Sequence, residues 1–289
     1  MCISFATYFD KPIYGMNHDL FDTETKFKIV QSKKNISAFI YDVKFNDDFV
    51  HNAGMNDKGI FCNFQNDSTN KYILLNSSLE WVDAEDIFLK ALMEEESVKD
   101  IEDCISGKGV KFPLSPPNPK LHSLYADKNG YSVIIEAGEN SAKISAIKGK
   151  FIVMTNFTNS DFQNERFNEV FGPGDNRYIK AYEYLSQIKG TFQIEDAFNI
   201  LKQNIQESSK TQTLTSMIFL PKDNEIYFVI KRRFDKVWKI SLDNHTLETF
   251  LGFKKDIIIP LNSNGICATD LEQYYLGWNL ETKMIYLKL

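Results

Sequence analysis

Strand-like and helix-like stretches in this chain are segregated into blocks, and that segregation most limits what it can fold into. Residues 3–65 read mostly as strand, with residues 37–45 β-rich and partly alternating and residues 59–64 a further candidate. Residues 83–105 read as two helices, with Asp83 and Ser97 placed as their N-caps. Strand patterns return over 121–155, and helix patterns follow at 176–188 and 194–206. Strands at 213–220, 225–231 and 236–242 are expected to close the chain. A doubly wound sheet needs a helix between successive parallel strands. Blocks predict an α+β fold built in layers instead.

Local signals agree with the blocks. Asp127-Lys128-Asn129-Gly130 predicts a hairpin, with Asn-Gly suited to the positive φ angles of a type I′ turn. Residues 111–119 carry four prolines and predict a stiff loop. Gly172-Pro173-Gly174-Asp175 predicts a turn into a helix, because no neighbouring lysine is present to hold a phosphate. No linker-like stretch and no internal repeat divides the chain, so residues 1–289 are expected to form one domain.

Composition excludes several functions. Lys and Arg number 33 against 39 Asp and Glu, a net charge of −6, which argues against a broad basic face for nucleic acid. No apolar run approaches the roughly 18 residues of a membrane span. The N-terminus lacks the basic and apolar regions of a secretory signal, so a cytoplasmic location is expected, and Asn76-Ser77-Ser78 carries no implication of glycosylation. Cys2, Cys62, Cys104 and Cys267 are widely spaced and predict neither a disulfide framework nor a zinc knuckle. His18, His51, His122 and His245 lack metal-ligand spacing and are expected to be structural or surface residues. Lys231-Arg232-Arg233 is expected to be the solvated end of a strand.

One residue carries chemistry. Removal of Met1 would leave Cys2 with both a thiol and a free α-amine. An α-amine titrates near pH 7.7–8.0, so part of it is neutral at physiological pH and can take the thiol proton. Nucleophile and base then reside in one residue. Residues 3–8 read as a strand holding Cys2 at a sheet end, and a tight hairpin into residues 14–19 would return Asp19 toward it. A carboxylate there could orient the amine.

With Cys2 and Asp19 in view, the chain resembles the choloylglycine hydrolase family of N-terminal nucleophile hydrolases, which includes conjugated bile salt hydrolases and penicillin V acylases. Met1-Cys2 matches the family nucleophile. Gly15-Met16-Asn17-His18-Asp19 is similar to the family's Gly-Arg-Asn-x-Asp. Ala53-Gly54-Met55-Asn56-Asp57-Lys58-Gly59-Ile60 is similar to Asp-Gly-Met-Asn-Glu-Lys-Gly-Leu. Asn66 falls where bile salt hydrolases carry asparagine and penicillin acylases tyrosine. Residues 121–136 resemble the family hairpin, and Val153-Met154-Thr155-Asn156 matches Val-Met-Thr-Asn. Gly172-Pro173-Gly174-Asp175 with Arg177-Tyr178 resembles the segment bearing the family's catalytic arginine. The order and spacing of five motifs carry the resemblance, which runs across nearly the whole chain.

The resemblance implies a four-layer αββα sandwich and hydrolysis of a linear amide of an N-acyl compound of bile-salt, penicillin V or N-acyl amino acid type. Cys2 would be the nucleophile and Asp19 would orient its amine. The Asn156 amide and the Asn66 backbone N–H would hold the oxyanion, and Arg177 would support the polar network. Neither metal nor cofactor is implied. Two features depart from the family. Met16 replaces an arginine near the nucleophile, which keeps open a catalytically silent ligand-binding protein. Only 15 residues separate Asn156 from Gly172, where the tetrameric hydrolases have a long insertion, so a monomer or homodimer is expected. Acyl transfer through the same thioester is the remaining alternative.

Overall fold

The computed structural model describes residues 2–70, 80–94, 97–112, 120–208 and 210–276. Met1, most of the proline-rich 111–119 segment and Asn76-Ser77-Ser78 lie outside the described residues. Six strands come first: β1 (Ile3–Tyr8), β2 (Pro12–Leu20), β3 (Thr25–Gln31), β4 (Ser37–Phe45), β5 (Asp48–Asn56) and β6 (Phe61–Asn66). A short β7 (Trp81–Asp83) leads into α1 (Ala84–Met93) and α2 (Val98–Ile105), then β8 (Gly109–Lys111). β9 (Leu121–Ala126), β10 (Ser132–Glu136), β11 (Lys143–Ala146) and β12 (Phe151–Met154) precede α3 (Asp175–Ser186) and α4 (Ile194–Gln203). β13 (Gln212–Leu220), β14 (Glu225–Ile230), β15 (Val237–Ser241), β16 (Thr246–Leu251), β17 (Ile258–Pro260) and β18 (Ile266–Cys267) follow, with α5 (Ala268–Glu272) after them. The chain therefore continues past the three strands expected to close it.

Two eight-stranded antiparallel sheets form the body. The first runs β12-β1-β2-β13-β14-β15-β16-β17 and the second β11-β10-β9-β6-β5-β4-β3-β18. Between them lies an aromatic core in which Phe27 stacks on Phe228 at 4.4 Å between ring centroids. Burying each such side chain contributes about 1.5–3 kcal/mol. Ile3, Phe5 and Ile13 on the outer face of the first sheet pack with Leu185 of α3 and Ile200 of α4. On the second sheet, Ile40 and Cys62 pack with Phe88 of α1 and Ile101 of α2. The layers are thus helix, sheet, sheet, helix.

The helix starts follow the caps read from sequence. Asp83 accepts from Glu85 N at 2.9 Å, and Ser97 and Asp100 form a reciprocal capping box. The 127–130 hairpin departs from type I′. Asp127 N donates to Tyr131 O, and Gly130 (φ 107°) takes positive φ while Asn129 does not. Asp127 Oδ1 accepts from Asn129 N, which holds a longer turn than the two-residue type I′ form.

The two most specific sequence motifs prove to be one device used twice. Gly15-Met16-Asn17 lies on β2 and Gly54-Met55-Asn56 on β5. Met16 and Met55 both enter the inter-sheet core. Asn17 Nδ2 donates to the Leu201 and Asn204 carbonyls at the end of α4, and Asn56 Nδ2 to the Ala91 and Leu92 carbonyls at the end of α1. Each asparagine donates to carbonyls at a helix end, where intrahelical donors run out, and so pins a helix layer to its sheet. A Cβ on Gly54 would lie 2.5 Å from Leu92 Cδ1 and 2.8 Å from the Phe39 carbonyl, so only glycine permits this docking.

Candidate active site

The candidate residues meet at one end of the sandwich, where β1 begins and β2 and β6 end. Cys2 is buried, and its Sγ accepts from Asp19 N at 3.3 Å and lies 3.6 Å from Asp19 O. Burial pushes the Cys2 thiol up, so a base is needed to make the thiolate.

Asp19 begins a line of polar contacts. Its Oδ1 accepts from Thr213 Oγ1 at 2.6 Å and its Oδ2 from Arg177 Nη1 at 2.9 Å. Arg177 Nη2 donates to Asn156 Oδ1 at 2.8 Å, and Asn156 Nδ2 donates to the Asn66 carbonyl at 2.7 Å. Both charged side chains of the pair are buried, at 6% and 0% exposure. Burial pushes the Asp19 carboxyl up, against the pull of Thr213 and Arg177. All five predicted residues are therefore brought together, with Asn66 joined through its backbone. The Asn66 side chain is exposed and donates instead to Ser68 Oγ.

Arg177 owes its position to the turn before α3. Gly174 has φ 90°, and a Cβ there would lie 2.8 Å from Arg177 Nη2 and 3.1 Å from Thr155 Cβ. Gly174→Ala is expected to cost about 1–3 kcal/mol in denaturant unfolding and to lower activity, because it adds left-handed strain and displaces the guanidinium. An unchanged midpoint with unchanged turnover would refute this account of the turn.

A β-bulge supplies what sequence reading missed. The β13–β2 register shifts between Thr213 and Thr215. Thr213 is paired with Asp19 and Thr215 with His18, so two threonines that would share a face serve opposite faces. Thr213 reaches Asp19, while Thr215 Oγ1 accepts from Tyr41, whose hydroxyl is 3.0 Å from His18 Nδ1. The sequence carries no mark of this insertion beyond the two threonines.

Burial pushes His18 down to about 3 from an ordinary 6.5. The unfolded ring takes a proton below about 6.5 while the folded ring stays neutral, so His18 weakens folding as pH falls through that window. His18→Leu is expected to make the loss of stability between pH 6 and 4 shallower by about 1.4 kcal/mol per pH unit. Equal slopes in the two proteins would contradict it. Asp19, with its carboxyl pushed up, acts in the opposite sense and is common to both.

Cys2, His18, Asp19 and Asn66 line a cavity of about 270 Å³. Leu20, Phe45, Val50, Phe64 and Leu121 make its apolar wall, and His51, Asn52, Gln65 and Glu85 its remaining polar groups. No lysine or arginine is among these described lining residues. His51 is held by Asp42 at 2.7 Å, which also pairs with Lys28. His18 and His51 are thus pocket residues. The buried Met16 lies in the inter-sheet core, opposite Ser4 and Met217 across the sheet.

Among the described residues one group has the composition of a metal site: Asp67, His122 and Glu136, all buried, with ligand atoms within 4.8 Å. The carboxylates already accept hydrogen bonds. Asp67 takes them from Thr69 N, Asn70 N and Thr158 Oγ1, and Glu136 from Asn159 N and Ser160 N. The cluster ties the 67–70 and 157–160 segments together behind Asn66 and Asn156. Its histidine and glutamate face each other across the β9–β10 pair, a juxtaposition invisible to sequential spacing.

The sequence matches no protein-family model and no curated protein. The fold has counterparts among solved structures. It is similar to penicillin V acylase from Agrobacterium tumefaciens, with a TM-score of 0.63 and 14% identity, over 90% of this chain and 99% of that one. It is also similar to a mutant of conjugated bile acid hydrolase from Clostridium perfringens, with a TM-score of 0.60 and 16% identity, over 86% of this chain and 96% of that one. The chain has the αββα sandwich of those proteins, as its layers had indicated.

Proposed function

We infer that the chain is a linear amide hydrolase with Cys2 as an N-terminal nucleophile, acting on an N-acyl compound. The observation that carries this reading is the buried line Thr213–Asp19–Arg177–Asn156–Asn66, which passes the Cys2 sulfur and borders an apolar cavity. A buried ion pair braced at both ends is costly to assemble, and perturbed carboxyl and thiol groups lining one cavity point to chemistry. The likeness in fold to two amide-cleaving enzymes supports the same reading.

In this mechanism Met1 has been removed. The Cys2 α-amine takes the thiol proton as sulfur attacks the amide carbonyl. The Asn156 side-chain N–H and the Asn66 backbone N–H receive the developing oxyanion; losing one such donor costs about 2.7–4 kcal/mol. As the C–N bond breaks, the α-amine returns its proton to the leaving nitrogen, leaving an acyl thioester on Cys2. Water then adds to the thioester, giving its proton to the α-amine. The carboxylic acid departs and the thiol regains its proton. The apolar wall receives the acyl part.

Intact mass measured beside turnover of a panel of N-acyl amides tests this. Protein lacking Met1 should release the acid, and protein retaining Met1 should not. Turnover by the Met1-retaining form would overturn the role of the α-amine. Absence of turnover on every amide by the trimmed form would overturn the hydrolase reading.

A further inference from the structure

His18 lines the same cavity as Cys2 but takes no part in the mechanism above. Its hydrogen-bonding state follows from its neighbours. Tyr41 donates its one hydroxyl hydrogen to Thr215 Oγ1 at 3.1 Å. Burial raises the Tyr41 hydroxyl pKa, so that hydrogen is retained. Toward His18, at 3.0 Å, the Tyr41 oxygen can therefore only accept, and the His18 hydrogen must sit on Nδ1. In a neutral ring Nε2 then bears a lone pair and no hydrogen. Nε2 hydrogen-bonds to none of the described residues, and His18, 4% exposed, is one of the residues that line the cavity.

Leu20, Phe45, Val50, Phe64 and Leu121 give the cavity its hydrocarbon wall, and His51, Asn52, Gln65 and Glu85 are its other polar groups. A plain acyl chain filling it would strip water from Nε2 and leave the acceptor unpaired, a cost a bound hydroxyl avoids. We propose that His18 is a specificity-determining residue whose Nε2 accepts a hydrogen bond from a hydroxyl on the acyl group, so that the pocket selects hydroxylated acyl chains over plain ones of equal length. This rests on the amide-hydrolase reading for which part of the ligand enters the cavity. The β13 bulge is what makes the device possible, because it turns Thr215 toward Tyr41 while Thr213 serves Asp19.

The test is binding without turnover, on Cys2→Ala protein titrated calorimetrically with decanamide and its monohydroxy positional isomers. Both arms carry the same amide, so only the hydroxyl differs. At least one isomer is expected to bind about ten-fold tighter than decanamide. Adding His18→Leu should abolish or invert that preference, and His18→Gln, which keeps an acceptor, should restore part of it. Nitrogen-15 NMR supplies a readout that a merely structural role would not move. The Nε2 signal should be of the unprotonated type and should shift with the preferred isomer but not with decanamide. The proposal is overturned if every isomer binds within two-fold of decanamide, if the preference survives His18→Leu, or if Nε2 carries the hydrogen. A hydroxyl preference lost in His18→Leu, with no amide turned over by the trimmed wild type, would sink the hydrolase reading while this assignment stands.

Discussion

Cys2→Ala is expected to reduce amide turnover by about 10⁴-fold or more while the fold survives, because removing a covalent nucleophile removes the only path through an acyl intermediate. The thiol's hydrogen bonds among the described residues are to the Asp19 backbone alone, so its loss should change stability by about 1 kcal/mol. Thiol labelling gives a second readout. Cys62 is fully buried with its thiol pushed well up, so an electrophile matched to the cavity should mark Cys2 in preference to it. Cys104 and Cys267 are only partly buried and serve as the accessible comparison. Wild-type-like turnover by Cys2→Ala would end the nucleophile assignment.

Arg177→Met is expected to have the second large effect, on stability and catalysis together. It removes the Arg177 partner of the buried Asp19 carboxylate and the guanidinium donor to Asn156 Oδ1. Breaking a buried pair from one side costs about 3–5 kcal/mol, equivalent to a fall in melting temperature of about 10 °C. Asn156 would then be free to rotate away from the Asn66 carbonyl, and kcat should fall at least about 10²-fold as the oxyanion donor is misplaced. Adding Asp19→Asn removes the stranded charge and should recover a substantial part of the stability but none of the activity. Additive losses of stability in the double variant would show that the two side chains are not coupled as the 2.9 Å contact requires.

The sequence was informative where signals are local. Caps at Asp83 and Ser97, the glycine turn before Arg177, and the segregation of strand and helix blocks all depend on neighbours within a few residues, and each appears in the structure. The resemblance placed Cys2, Asp19, Asn66, Asn156 and Arg177 because motif order survives divergence. It read the Gly-Met-Asn motifs only as signatures, whereas the structure shows each asparagine closing a helix end. The later strands β16 to β18 escaped notice because they are short and partly exposed, and so lack a clean alternation.

By itself, then, the sequence determined the α+β layering, the helix starts and the identity of the residues that converge, all of which rest on local pattern or on ordered motifs. Tertiary structure alone decided what those residues touch. The line from Thr213 through Asp19 and Arg177 to Asn156 joins groups up to 194 positions apart. Thr213 enters it only because one extra residue in β13 reverses the face that its side chain occupies. The same reversal places Thr215 behind Tyr41 and His18, and so decides which nitrogen of His18 carries the hydrogen. A bulge and a long-range register are set by how two sheets pair and pack, and no local periodicity encodes them.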